Sequence, residues 1–246
     1  MSESNVASTA PAPAEKTSRW EDFIDILFSP SSVFRRREHD SWLMPMVILT
    51  LAVAVIVFAS RGVMQPVFDA EFEKAAEQMR RNPQITEDII EKSRGMMQVT
   101  AMAGSLVIFP ISVFIIGFMT WLVGKLVDST QDLHAALVVA TYAMVPRVIQ
   151  SIANAVQGLL LKPEQLNGLT RLSFSPARFV DPATTSPVVL QLLNRLDLFT
   201  IWVTVLLAIG LHVTGRVSKQ RAVIAGILFW VIGSIPAILG ALRQAR

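Results

Sequence analysis

Apolar residues are gathered into five long blocks, each close to the length that a helix needs to cross a bilayer. A membrane-spanning helix takes about 20 predominantly apolar residues, with a range of roughly 17–25. The blocks occupy residues 43–60, 99–123, 135–161, 196–214 and 222–242. The first, second and fifth contain no Asp, Glu, Lys or Arg. This pattern predicts an all-α polytopic membrane protein, a bundle of five transmembrane helices.

The remaining segments are polar and differ in pattern. Residues 1–19 are rich in Ser, Ala and Pro without apolar periodicity, and they lack the pattern of a secretory signal, so we expect a disordered N-terminal tail. Residues 20–246 then form one membrane domain. The loop 61–98 predicts an amphipathic helix, a break at 82–83 and a second helix that runs on into the second span. The loop 162–195 contains four prolines and predicts a loop with short helical turns.

The segment before the first span predicts a short amphipathic helix. Trp20, Phe23, Ile24 and Leu27 recur at the i, i+3, i+4, i+7 spacing of one helix face. An apolar face with aromatic residues suits a helix that lies in the membrane interface, where it could also contact a partner. Docking of this face on the protein's own helices is the alternative.

Composition and charge narrow the class of protein. Apolar residues make up 52% of the chain and charged residues 17%, below the roughly 25% of soluble domains. The net charge of +3 includes the cluster Arg35–Arg37 beside the first span, a place typical of headgroup contacts rather than nucleic-acid binding. The chain has no cysteine, which excludes disulfides, thiolate metal sites and cysteine nucleophiles.

The basic residues also predict the orientation. The loop 215–221 is seven residues long and carries three of them, and together with Arg35–Arg37 it favours a cytoplasmic N-terminus, because short loops near span ends carry most weight. The raw count points the other way, with nine Lys and Arg inside and twelve outside. Five spans place the C-terminus on the opposite side. We expect a multi-pass protein of the cell membrane, the inner membrane if the chain is bacterial.

One basic residue lies well inside a span. Arg147 follows Pro146 in the third block, and Gln150, Asn154 and Gln157 continue the same helix face. In one interpretation this polar stripe lines a cavity or substrate path. In the other, Arg147 reaches the outer interface and the stripe faces polar loops or other helices.

A carboxylate on the same side of the membrane is a second candidate. Asp197 begins the fourth block and could pair with Arg147 or lie as a carboxylate at a helix N-terminus.

The fifth block and the histidines complete the candidates. Gly226, Gly233 and Gly240 recur every seven residues and predict a helix-packing face, within the chain or between copies. The three histidines are scattered without carboxylates at ligand spacing, and no nucleotide-binding or hydrolase motif is present. We therefore expect no catalytic, cofactor-binding or metal residues, no cofactor and no enzymatic activity.

Several stretches resemble the Yip1 family of membrane proteins, in particular its bacterial members. They are DILFSPSSVF with WLMP after it, WLVGKL leading to AALVVATYAMVP, and LDLFTIWVTVLLAIGL. With the spans between them they cover most of the chain from Trp20 to Leu242. The segment LVDST after Lys125 departs from the pattern, because it lacks the glycines often found in that turn.

The resemblance implies a five-span fold with a cytosolic N-terminus. Eukaryotic relatives act in vesicle traffic and bind prenylated small GTPases and one another through a cytosolic N-terminal region, which is here a short Ala/Pro tail. Two hypotheses follow: a non-enzymatic protein that organises or shapes the membrane or scaffolds partners, or a transporter, channel or lipid-translocating protein that uses the polar face around Arg147. The expected partners are the lipid bilayer and other membrane proteins or a second copy, and no nucleic acid.

Overall fold

The computed structural model describes residues 18–166, 168–182 and 184–244, and these segments are helical, with no strand among them. Most of the predicted tail 1–19 lies outside the described residues. Two short 3₁₀ turns occur at Pro163–Gln165 and Pro176–Phe179. The α-helices are α1 (Arg19–Phe28), α2 (Pro30–Arg37), α3 (Leu43–Ser60), α4 (Gln65–Arg80), α5 (Glu87–Leu126), α6 (Leu133–Ala143), α7 (Val145–Leu160), α8 (Leu169–Leu172), α9 (Pro187–Arg195), α10 (Leu198–Thr214) and α11 (Lys219–Gln244).

Within this part of the chain, four helical stretches are long and apolar enough to cross a membrane: Leu43–Ser60, Ala103–Leu126, Leu133–Leu160 and Lys219–Arg243. The predicted fourth block differs, because α10 has only 17 residues and the preceding α9 meets it at an angle of 53°. The count is five only if this bent pair is one span. The bend arises at Asp197, whose extended backbone (ψ 132°) ends one helix and whose side chain caps the next.

The second span belongs to a helix of 40 residues, α5. Its first 16 residues, 87–102, precede the apolar stretch and would extend about 24 Å beyond it. The helix α4 packs against this extension through Phe72, Ala76 and Ile90. The predicted pair of helices in the loop 61–98, broken at 82–83, is confirmed.

The third block forms two helices, α6 and α7, that meet at Met144. Pro146 lies in the first turn of α7, where its missing N–H removes no helical hydrogen bond. Every residue from Ala135 to Ala143 is buried, so α6 is the centre of the bundle. It packs against α5, α10 and α3.

Two turns meet at one end of the bundle, which we call the Gly215 end. The turn between α5 and α6 donates from the Thr130 amide to the Gly215 carbonyl at 3.1 Å. The buried Gln131 Nε2 donates to the Thr214 hydroxyl at 2.5 Å. The Thr130 hydroxyl also donates to the Gly215 carbonyl. These bonds join two loops that are about 85 residues apart in sequence. At the opposite end, the Asp197 end, the loop 162–195 folds into the short turns expected, plus the nine-residue α9.

At the N-terminus, α1 begins one residue earlier than the sequence predicts. The Ser18 hydroxyl accepts from the Trp20 amide at 3.4 Å, and the Glu21 carboxylate accepts from the Ser18 amide at 3.1 Å. This reciprocal capping box explains why the helix begins here. The last two residues of the predicted tail therefore belong to the folded part.

Candidate functional site

The intramembrane arginine lies at the Asp197 end and contacts two polar side chains. Arg147 Nη1 donates to Gln150 Oε1 at 2.7 Å, and its Nη2 donates to the Thr200 hydroxyl at 3.1 Å. The Asp197 carboxylate lies 3.9 Å from Nη1. The structure therefore brings together the basic and acidic residues whose pairing the sequence raised as one alternative.

Asp197 also caps a helix, which was the other alternative. Its Oδ1 accepts from the amides of Phe199 and Thr200 at 3.0 and 3.1 Å. Its Oδ2 accepts from the Phe174 amide, in the loop 162–195, at 3.0 Å. With 5% of its surface exposed, Asp197 is the point that joins this loop to the start of α10.

The rest of the predicted polar stripe separates into two places. Gln157 Nε2 donates to the Leu172 carbonyl at 3.0 Å, and its Oε1 accepts from Arg178 at 3.1 Å. Asn154 instead lines a cavity of about 310 Å³ beside Arg61, and its buried Oδ1 has no hydrogen-bond partner among the described residues. The stripe thus faces loops and other helices along most of its length. Whether it also serves a substrate stays a prediction.

A second arginine, which the sequence had placed only in a loop, crosses between two helices. Arg195 Nε donates to the Ser234 hydroxyl at 2.9 Å, and Nη2 donates to the Trp230 carbonyl at 3.1 Å. The indole of Trp230 donates back to the Arg195 carbonyl at 3.0 Å. A long side chain at the end of a span can reach polar groups of a neighbouring helix. The one sequence feature that could have indicated this contact is Ser234, a polar residue within a charge-free apolar block.

The three glycines of α11 do not share one packing role. A Cβ on Gly233 would lie 3.1 Å from Arg195 Nη2, so this glycine makes room for the guanidinium. A Cβ on Gly226 would meet Ala208 of α10 at 3.4 Å, an ordinary contact between packed helices. A Cβ on Gly240 would have no described atom within 4 Å.

The predicted apolar face of α1 divides between protein and surface. Ile26 is fully buried and Phe23 and Leu27 pack against the main core, where the Phe23 ring lies 5.8 Å from that of Tyr142. Trp20 and Ile24 point outward with 67% and 61% of their surface exposed, and Phe28 joins them at 81%. These three residues, which we call the Trp20 stripe, lie four residues apart on one side of the helix. A place for the stripe in a membrane interface stays a prediction.

A carboxylate that is fully buried holds α1 against α2. Asp22 has 0% exposure and accepts a hydrogen bond from Arg37 Nε at 2.6 Å as well as one from Arg36 Nη2. Burial by itself lowers the pKa of Arg36, but hydrogen bonds and charge from Asp25 and Asp22 more than offset it and leave this pKa above its usual value. Two of the three clustered arginines are therefore engaged within the protein, and Arg35 is the exposed member.

The described residues contain no group of three or more His, Asp or Glu that could hold a metal ion. His134 Nε2 lies 3.0 Å from the Asp40 carbonyl, and His212 Nδ1 lies 2.6 Å from the Val217 carbonyl. Both rings thus have backbone carbonyl partners.

Comparison with known proteins gives a match along nearly the whole chain. A model of the Yip1 domain matches residues 24–240. The membrane protein YknW of Bacillus subtilis (strain 168) is 26% identical over 231 residues, which cover 94% of this chain and 92% of that protein. No solved structure matches.

Proposed function

The chain belongs to the Yip1 family, and on that premise we propose that it is a non-enzymatic integral membrane protein that organises or shapes the bilayer. The Yip1 family is not a known enzyme family. The observation that carries the proposal is the Trp20 stripe, an exposed apolar row on a helix that lies outside every candidate span.

The mechanism follows from how α1 is held. Asp22 ties the helix to α2, and the buried Ile26 fixes its rotation about its own axis, so the Trp20 stripe keeps one direction. A helix that lies in the interface buries its apolar face by roughly 5–10 Å at the boundary between headgroups and acyl chains. Because the bundle anchors α1, insertion of its apolar face increases the area of one leaflet at a fixed distance from the spans.

We place the N-terminus in the cytoplasm and the C-terminus on the opposite side of the cell membrane, which is the inner membrane in a bacterium with two membranes. Arg35 beside the first span and the three basic residues of 215–221 support this orientation. Both features lie at the Gly215 end, and Asp22 joins α1 to Arg36 and Arg37 of the same basic cluster, so we propose that the Trp20 stripe enters the cytoplasmic leaflet.

Partners of this protein are proposed on the same grounds. The bilayer is the first partner. On the side of the membrane opposite the N-terminus, the hairpin of α4 with the N-terminal part of α5 offers a surface for other membrane proteins or a second copy. Several of its exposed charges form ion pairs along the hairpin; for example, Arg80 Nη1 lies 2.7 Å from Glu73. The exposed Met96 and Val99 give it apolar contact area.

The test is reconstitution of the full chain into vesicles of phosphatidylglycerol and phosphatidylethanolamine, with vesicle diameters measured by electron cryomicroscopy. We expect the wild-type chain to narrow the vesicles and the triple variant Trp20→Ser, Ile24→Ser, Phe28→Ser to leave them at the protein-free diameter. The matched control, Trp20→Phe, Ile24→Leu, Phe28→Leu, keeps the stripe apolar and should act as wild type. Unchanged narrowing by the serine variant would overturn the proposal.

A further inference from the structure

The helices α10 and α11 leave a long groove on the outside of the bundle. Its volume is about 520 Å³, within the range of roughly 300–1,000 Å³ typical of ligand sites. It runs from Ile201 to His212 along α10 and from Lys219 to Trp230 along α11. At 1.5 Å per residue each side is about 16 Å long, close to half of the roughly 30 Å hydrocarbon core. The groove therefore spans about one leaflet.

Small residues form its floor and larger apolar residues its walls. Ala222 and Gly226 are buried at the bottom, and a Cβ on Gly226 would already touch Ala208. Val205 and Ile227 are exposed along the sides, with Trp230 at the far end. An apolar groove of this length and volume suits a single flexible chain.

The end of the groove at the Gly215 turn carries a positive charge. Three basic residues lie in 215–221, and two of them face carboxylates: Arg216 lies 3.8 Å from Glu38, and Arg221 lies 3.1 Å from Asp128. Lys219, which lines the groove, is exposed and has no carboxylate within 4 Å in the described part of the chain. The Ser31 hydroxyl lies at the same groove.

We propose that this groove binds one anionic glycerophospholipid from the leaflet that meets Lys219. An acyl chain lies along Val205 and Ile227, and the phosphate pairs with the ammonium of Lys219. Charge complementarity supports this occupant. The apolar groove is about one leaflet long and ends at a cation that has no carboxylate within 4 Å among the described residues, and an anionic lipid offers an apolar chain and a negative charge at that separation. It does not depend on the Trp20 stripe.

The test is native mass spectrometry of the full chain released from nanodiscs that contain equal amounts of phosphatidylglycerol and phosphatidylethanolamine. We expect retained phosphatidylglycerol on the wild type and about fivefold weaker retention in Lys219→Gln, the effect of one lysine near a charged surface. Ile227→Trp should fill the channel and reduce retention of the lipid while Lys219 stays in place.

Matched controls separate the site from the general surface. Lys125 is an exposed cation at the same end and Val231 an exposed residue of α11, and neither lines the groove. Lys125→Gln and Val231→Trp should retain phosphatidylglycerol as wild type, as should the serine variant of the Trp20 stripe. Equal retention of both lipids, an equal loss in Lys125→Gln, or a dimer in place of the lipid would each overturn the proposal.

Discussion

Asp22 of α1 accepts a hydrogen bond from Arg37 Nε of α2 at 2.6 Å, and no part of the carboxylate side chain is exposed. Arg36 donates to the other oxygen of the same carboxylate. One buried acid thus pairs with two adjacent arginines. This contact fixes which face of α1 meets the bundle and which carries the Trp20 stripe.

Replacing this acid should release α1. In Asp22→Ala, Arg36 and Arg37 lose their shared carboxylate but keep Asp25 and Asp40 as partners, and the loss of a hydrogen bond to a charged group costs about 1.5–3 kcal/mol. We expect a lower melting temperature and faster hydrogen exchange in 19–28. Asp25, whose side chain is 38% exposed and lies 2.9 Å from Arg36, is the control, and Asp25→Ala should change exchange much less. Equal effects of the two variants would contradict the central role of Asp22.

Gly215 should tolerate no side chain. A Cβ there would come within 2.5 Å of the Leu211 carbonyl and collide with the Ser129 hydroxyl, so one of the two joined turns would have to move. We expect Gly215→Ala to lower the free energy of unfolding by about 1–3 kcal/mol. Gly240→Ala, where the added Cβ has open space, should melt as wild type or slightly higher. A normal melting temperature for Gly215→Ala would show that the turns are not locked in this way.

Asp197 should act more through its cap than through its ion pair. Asp197→Ala removes the acceptor for the amides of Phe199, Thr200 and Phe174, and loss of such a cap costs about 0.5–2 kcal/mol. Asn keeps one acceptor oxygen for the cap but turns its Nδ2 donor towards the Phe174 amide, so Asp197→Asn should keep the cap, lose the bond to Phe174 and be less destabilised than Asp197→Ala in thermal unfolding. If Asn cost as much as Ala, the cap would contribute little, and the charge facing Arg147 at 3.9 Å together with the bond to Phe174 would be the larger contribution.

The proposed orientation can be measured with single cysteines, since the chain has none of its own. Glu164 and Gln220 are both exposed and lie at opposite ends of the bundle. In intact cells a membrane-impermeant maleimide should label Glu164→Cys, and it should label Gln220→Cys only after permeabilisation. The reverse result would place the N-terminus outside.

The sequence predicted the parts of the fold that depend on apolar length and helical period. Three charge-free blocks became membrane-length helices, and the break at 82–83 separates α4 from α5, because Pro83 and the polar residues around it cannot continue a helix. The bend between α9 and α10 was not predicted. It occurs at Asp197, which caps α10 and also accepts from the distant Phe174 amide, and this long-range contact leaves no local pattern.

The candidate sites were predicted less completely, because side-chain partners are set by tertiary packing. Helical spacing predicts one apolar face for Trp20, Phe23, Ile24 and Leu27, and the packed bundle divides that face between core and surface. Likewise, the sequence predicts Arg195 as a basic residue of the loop 162–195, because its partner Ser234 lies 39 positions further along the chain and leaves no local pattern.

The most direct test of the account is the environment of the Trp20 stripe in a bilayer. A spin label at Ile24→Cys in the reconstituted chain is compared with labels at Val55→Cys, an exposed mid-span position, and at Gln220→Cys, an exposed loop position. Collision with oxygen and with a water-soluble nickel chelate is measured for each. We expect the label at position 24 to have high accessibility to oxygen and low accessibility to the nickel chelate, like the label at position 55. Accessibility like that of position 220 would show that α1 lies in water, and would contradict the account.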